Sequence, residues 1–219
     1  EVQSFIRAGR VAVNGTAERD PAAKVDPDAD RVSLDGREQT YRAQRYYMLN
    51  KPAGVITASH DERHGTVLEL FPESLRRGLF AVGRLDKDTE GLLLVTDDGA
   101  LSHALMSPTR HVSKVYEAEL DGVLVPDAAE RFGAGLTLRD GTVCRPALLE
   151  LLPDGRVRVT LHEGKYHQVK RMIAACGATV TFLKRVQLGG VRLDESLAPG
   201  EFRELTEEEL GALRPPDGL

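Results

Sequence analysis

Apolar residues in this chain follow two rhythms. Leu92, Leu93, Leu94 and Val95 form an unbroken run behind Gly91, short enough for a strand buried on both faces. Around Tyr116 the positions alternate instead: Tyr116, Ala118 and Leu120 share one face, and Val115, Glu117 and Glu119 the other, as in a strand with one apolar side. Leu148 to Leu152 and the alternating Val157, Val159 and Leu161 flank Pro153-Asp154-Gly155, a pattern that predicts an antiparallel hairpin. Helices are predicted over Asp98 to Ser107, ended before Pro108, over Asp127 to Gly133, and over Gln168 to Cys176, ended by Gly177. Thr206 and Glu209 form a capping box for a terminal helix. The fold class is therefore α+β, with a mixed, largely antiparallel sheet and flanking helices.

The first residues follow a separate pattern. Phe5 to Gly9 reads as a helix ending at Gly9, Val11 to Val13 as a short strand, and Asn14-Gly15 as a hairpin turn. Asp20 to Asp30, rich in Pro, Asp and Ala, is connecting coil, and Arg31 to Leu34 is a further strand. The boundary is placed near Thr40, dividing the chain into residues 1–40 and a larger domain, 41–219.

At 219 residues and 41% hydrophobic content, the chain can bury one sizeable core or two unequal ones. No stretch approaches the roughly 20 consecutive apolar residues of a membrane span, and no charged-then-apolar leader opens the sequence, so no membrane association and a cytoplasmic location are expected. Cys144 and Cys176 are far apart and lack paired-ligand spacing, which predicts two reduced core thiols and neither a disulfide framework nor a zinc site. The net charge of -5 does not announce a nucleic-acid binder. Its distribution changes the picture: from His162 to Arg192 six Lys/Arg stand against Glu163, while from Asp194 to Glu209 seven carboxylates stand against Arg203. A basic face can exist on an acidic protein, although ordinary solvated charge accounts for the same counts.

The most informative segment is Gly83-Arg84-Leu85-Asp86-Lys87-Asp88-Thr89-Glu90-Gly91, which places a carboxylate beside an arginine in a glycine-bounded loop. Taken alone it could be a solvated acidic turn. Asp86, Asp88, Glu90, Gly91 and Asp97 also match the spacing of a calcium loop, but Gly78, Gly83 and the strand-like run at Leu92 deny it the two flanking helices it needs, and no metal is expected. His162-Glu163-Gly164-Lys165-Tyr166-His167 is not a zinc-protease motif, because its histidines are five apart and Gly164 interrupts the helix that would align them.

This segment resembles the catalytic-aspartate motif of the pseudouridine synthases. Tyr46 to Gly54, Thr96 to Gly99, Lys114 to Glu117, Glu163 to Met172 and Leu188 to Val191 resemble further motifs of that family in the same order. The resemblance implies a cofactor-independent isomerisation of uridine to pseudouridine in ribosomal RNA, with Asp86 as the essential carboxylate, acting as nucleophile or as base. The loop Lys165 to Met172 and the Thr96 to Gly99 segment are most similar to the branch acting on small-subunit RNA. The alternatives are a large-subunit synthase of the same family and a non-catalytic RNA-binding or ribosome-assembly factor. The substrate is expected to be ribosomal RNA, free or in a partly assembled small-subunit particle, and the protein a monomer.

Alternation alone makes Tyr116 a core tyrosine; the resemblance implies that its ring stacks on an extruded uracil and its hydroxyl helps remove the proton from the fifth carbon. At about 100° per residue, Val169, Met172, Ile173 and Cys176 form the buried stripe of their helix; Lys170 flanks it and Arg171 points nearly opposite. Lys170 is therefore the predicted partner of Asp86, and Arg171 is left for phosphate or solvent. Lys165, His167, Lys184 and Arg185 are candidate RNA contacts. Arg84 either touches phosphate near the flipped nucleotide or holds its loop. Residues 5–15 resemble the second half of a small RNA-binding domain first recognised in a ribosomal protein, which adds Arg7 and Arg10 as RNA contacts in a truncated unit lacking the usual first helix.

Overall fold

In the computed structural model the described residues are 2–27, 29–39, 44–107 and 109–213. The chain divides into two compact units, 1–43 and 44–219. Thr40, the expected boundary, and Pro108, the expected helix stop, lie outside the described residues.

In the first unit α1 (Val2–Arg7) precedes β1 (Val11–Val13), β2 (Thr16–Glu18), β3 (Val32–Leu34) and β4 (Arg37–Gln39). They form an antiparallel sheet in the order β2-β1-β3-β4. Asn14 and Gly15 take φ values of 51° and 81°, the left-handed backbone that a two-residue hairpin requires. Asn14 also fastens the coil: its Nδ2 donates to Asp30 Oδ1 at 2.8 Å, and its Oδ1 accepts from the Arg31 amide at 2.9 Å. β4 had no apolar pattern to announce it, since Arg37, Glu38 and Gln39 are all exposed.

The second unit is built on one nine-stranded sheet. Its strands are β5 (Tyr46–Lys51), β6 (Phe80–Val82), β7 (Glu90–Thr96), β8 (Lys114–Gly122), β11 (Leu148–Leu151), β12 (Val157–Leu161), β13 (Ala178–Leu188), β14 (Val191–Arg192) and β15 (Phe202–Glu204); β9 (Leu136–Thr137) and β10 (Val143–Cys144) form a separate pair. The path is β11-β12-β8-β13-β7-β5-β15, with β14 on β13 and β6 on β7. Every pairing is antiparallel except that of β13 with β7. The helices are α2 (Glu73–Arg76), α3 (Gly99–Met106), α4 (Ala128–Ala134), α5 (Gln168–Ala175) and α6 (Glu207–Leu213). This is the mixed, largely antiparallel α+β arrangement that the apolar pattern predicts.

The core is split by the sheet. Val169, Met172, Ile173 and Cys176 pack with Ala118, Val157, Val159, Leu161 and Leu183 under α4 and α5. Leu101 and Leu105 of α3 and Leu210 and Leu213 of α6 pack with Met48, Leu92 and Leu94 on a second cluster, while Leu93 and Val95 enter a third. Successive residues of β7 thus feed different cores, which is why its run is apolar without alternation. The α6 capping box forms reciprocally: the Thr206 amide donates to Glu209 Oε2 at 2.9 Å and the Glu209 amide to Thr206 Oγ1 at 3.2 Å. Among the described residues no helix is long and apolar enough to cross a membrane.

Candidate active site

Residues 83–89 link β6 to β7, the strand at the middle of the sheet, so the loop carrying Asp86 starts and ends on rigid backbone. Both ends require glycine. Gly83 has φ 73°, and a Cβ there would stand 2.5 Å from Met106 Sδ. Gly91 has φ 98°, and a Cβ would strike the Arg185 carbonyl across the parallel β7–β13 pairing.

The loop is clamped from β5. Lys51 is fully buried, and its Nζ donates to the carbonyls of Pro52 (3.0 Å), Asp86 (3.0 Å), Lys87 (3.3 Å) and Thr89 (2.8 Å). Burial pushes the Lys51 ammonium down to about 8, against the opposing pull of Asp88, Asp86 and Glu90. Thr57 Oγ1 donates to the Leu85 carbonyl at 2.8 Å and accepts from its amide at 3.1 Å, and the Gly54 amide donates to Lys87 O at 2.8 Å. These bonds fix the Asp86 backbone while leaving its carboxylate free to react.

That carboxylate is 29% exposed and stands between two cationic or protonatable groups. Lys170 Nζ lies 3.4 Å from Oδ2, and His167 Nε2 lies 3.6 Å from Oδ1. Lys170 is shared, because its Nζ is 2.5 Å from Asp88 Oδ1, and this hydrogen bond holds the Asp88 carboxyl below its usual range. Arg171 turns the other way: its Nη2 pairs with Asp140 at 2.5 Å and its Nη1 donates to the Tyr166 carbonyl at 3.2 Å. The two neighbours on α5 therefore serve different carboxylates.

Asp86 opens on a cleft of about 800 Å³ whose walls include Arg84, Lys114, Tyr116, Tyr166, His167, Leu183 and Arg185. Tyr116 is half-buried and touches two of the apolar clusters. His167 has left-handed backbone (φ 47°), and its ring stacks on that of Tyr166 at 3.8 Å between centroids; Tyr166 is 74% exposed.

The remaining candidates are dispersed. Arg84 is exposed at the cleft wall. Lys165 Nζ is engaged by the Val143 carbonyl and by Glu163 at 3.5 Å. Lys184 and Arg185 point to opposite faces of β13, and Arg185 is only 1% exposed. A surface phosphate contact does not suit that buried side chain: strand alternation turns it inward, although the basic stretch suggested an exposed cation. In the first unit Arg7 is exposed on α1, and Arg10 pairs with Asp35 and lies over the Phe5 ring at 4.4 Å. The calcium-loop spacing is entered from strand β6 and its second half runs as strand β7, so it does not sit between two helices, and Asp97 instead binds Arg45 Nε at 2.7 Å.

Sequence reasoning assigned no role to Lys51, Asp88 or Lys114. Lys51 and Lys114 lie inside quoted motifs, and for Lys51 a lysine closing a mostly apolar strand was the available signal; Asp88 was legible only as a loop carboxylate.

A family model described as RNA pseudouridylate synthase matches residues 45–175, a span that contains β5, the Asp86 loop, Tyr116 and α5. The chain is 45% identical over 210 residues to the ribosomal small subunit pseudouridine synthase A of Escherichia coli (strain K12), covering 95% of this chain and 90% of that protein. It is 44% identical over 221 residues to the uncharacterized RNA pseudouridine synthase YtzG of Bacillus subtilis (strain 168), covering 99% and 92%. A crystal structure of pseudouridylate synthase superposes with a TM-score of 0.75 at 37% identity, covering 97% of this chain and 92% of that one. With a match that spans the Asp86 loop, Tyr116 and α5, and relatives aligned over nearly their full length, the chain belongs to the RNA pseudouridylate synthase family.

Proposed function

We propose that this protein isomerises a uridine of small-subunit ribosomal RNA to pseudouridine, without a cofactor, using Asp86 as the essential carboxylate. The observation that carries this reading is the placement of one rigidly held carboxylate between Lys170 and His167, in a cleft also lined by Tyr116 and large enough for an extruded nucleotide. Lys170 holds the carboxylate in place, and Asp86 either attacks the anomeric carbon or takes a neighbouring sugar proton. Tyr116 stacks on the base, and its hydroxyl assists removal of the proton from the fifth carbon. Arg84, Lys165, His167, Arg171 and Lys184 serve the RNA backbone around the cleft, with Arg7 and Arg10 in the first unit adding contacts. The choice of small-subunit RNA draws on the likeness to the Escherichia coli enzyme.

The test is to map pseudouridines in ribosomal RNA from cells with and without the protein, then to supply purified protein with free small-subunit RNA and with partly assembled particles. One missing small-subunit pseudouridine, restored in vitro, is the expected result. A lost large-subunit site would reassign the substrate, and no lost site would leave an RNA-binding factor.

A further inference from the structure

Arg185 heads the large side chains that are fully buried, at 1% exposure. Its Nε donates to the Leu92 carbonyl at 2.8 Å, while its Nη2 has no hydrogen-bond partner among the described residues. Burying a guanidinium with a bond unmade costs several kcal/mol of lost solvation. The neighbouring charge is another cation. Lys114, half-buried with its Nζ 3.1 Å from the Val112 carbonyl, is made easier to deprotonate first by burial and then by Arg185. Arg185 stands opposite Tyr116 in the β13–β8 ladder, and Lys114 precedes Tyr116 by two residues, so all three side chains lie on one face of the sheet. All three line the cleft that contains Asp86. A cationic pair that makes no ion pair among the described residues, beside the ring of Tyr116, is arranged for negative charge that develops during reaction.

Uridine isomerisation makes such a charge. When the bond between C1′ and N1 breaks, its electron pair leaves with the uracil, as an anion spread over N1 and the two carbonyl oxygens. C1′ is meanwhile bonded to Asp86, or the sugar has given Asp86 a proton that is later returned. The anion then attacks C1′ through C5, C5 surrenders its proton to a base, and N1 takes one up, so atoms and charge balance.

We propose that Lys114 and Arg185 bind the carbonyl oxygens of the uracil and stabilise its anion after glycosidic cleavage, acting as catalytic residues additional to Asp86. The same contacts select the base. Uracil offers a carbonyl acceptor at C4, where cytosine would turn an amino donor toward two cations and leave them unpaired. This assignment rests on uridine isomerisation as the reaction.

The test compares Lys114→Met and Arg185→Gln with the unaltered protein in single turnovers on pre-bound small-subunit RNA transcripts, made with uridine or with 5-fluorouridine, whose base leaves as a more stable anion. Loss of the original N-glycoside is followed. With uridine the variants are expected to slow cleavage by about 10²-fold or more, as when an oxyanion donor is removed. With 5-fluorouridine the loss should shrink clearly, while RNA affinity and its salt dependence stay unchanged. An equal loss on both RNAs, or intact chemistry with a salt slope smaller by about one counterion, would overturn the proposal. An Arg185→Gln protein with a lower melting temperature and an unchanged rate would do the same. Lys114→Met decides alone if Arg185→Gln does not fold. Should the unaltered protein convert no uridine in the uridine transcript, the functional reading itself fails, an outcome distinct from failure of the two cations.

Discussion

Asp86 and its partners differ in how far the sequence betrays them. Lys170 and Arg171 adjoin, yet the 100° step between them was enough to send one toward Asp86 and the other away, and their contacts are with Asp86 and Asp140 respectively. Their variants should differ accordingly. Lys170→Met is expected to slow the chemical step by about 10²-fold with RNA affinity little changed, and Arg171→Met to leave it within a few-fold, as single-turnover kinetics with pre-bound RNA would show. Asp86→Asn keeps the shape but cannot act as nucleophile or base. Its turnover should fall by on the order of 10⁴-fold or more, and appreciable product from it would remove Asp86 from its role. What the sequence could not convey is the sharing of Lys170 with Asp88, because that depends on the path of the loop and not on spacing.

At the level of elements, local devices were legible and long-range ones were not. The Asn14-Gly15 turn, the hairpin of β11 and β12, and the Thr206–Glu209 box are each specified by residues a few positions apart. β13 escaped notice, because Lys184 and Arg185 interrupt its apolar pattern and the burial of Arg185 arises from strands distant in sequence. Lys51 is similar: two of its carbonyl partners lie 35 and 38 residues away. Two predictions belong here. Gly91→Ala forces a left-handed φ on alanine and drives its Cβ into the Arg185 carbonyl, so urea unfolding should show a loss of about 3 kcal/mol. Lys51 loses its proton near pH 8 in the folded chain and near 10.5 in the unfolded one. Between those values the unfolded chain binds more protons, so this group adds stability as pH rises, by up to about 1.4 kcal/mol per pH unit. Unfolding measured at several pH values should show that increment in the unaltered protein and not in Lys51→Met.

The whole molecule carries a net charge of -5 and yet has to meet a polyanion. Much of the expected basic face is already committed: Lys165 pairs with Glu163, Arg171 with Asp140, and Arg185 is buried. Affinity should then depend on fewer free cations and more on stacking. Arg84 and the Tyr166 ring are both exposed at the cleft, one with charge and the other with a flat apolar face. Arg84→Gln is expected to weaken binding to a small-subunit RNA transcript and to lower the slope of log affinity against log salt by about one, since one fewer counterion is released. Tyr166→Ala should cost about 1–3 kcal/mol of binding, the usual worth of a base stacked on an aromatic ring, with that slope unchanged. Binding titrations of both variants across a range of salt concentrations separate the two contributions. If Tyr166→Ala alters the slope and not the intercept, the ring does not stack on RNA, and the stacked Tyr166–His167 pair serves to hold His167 against Asp86.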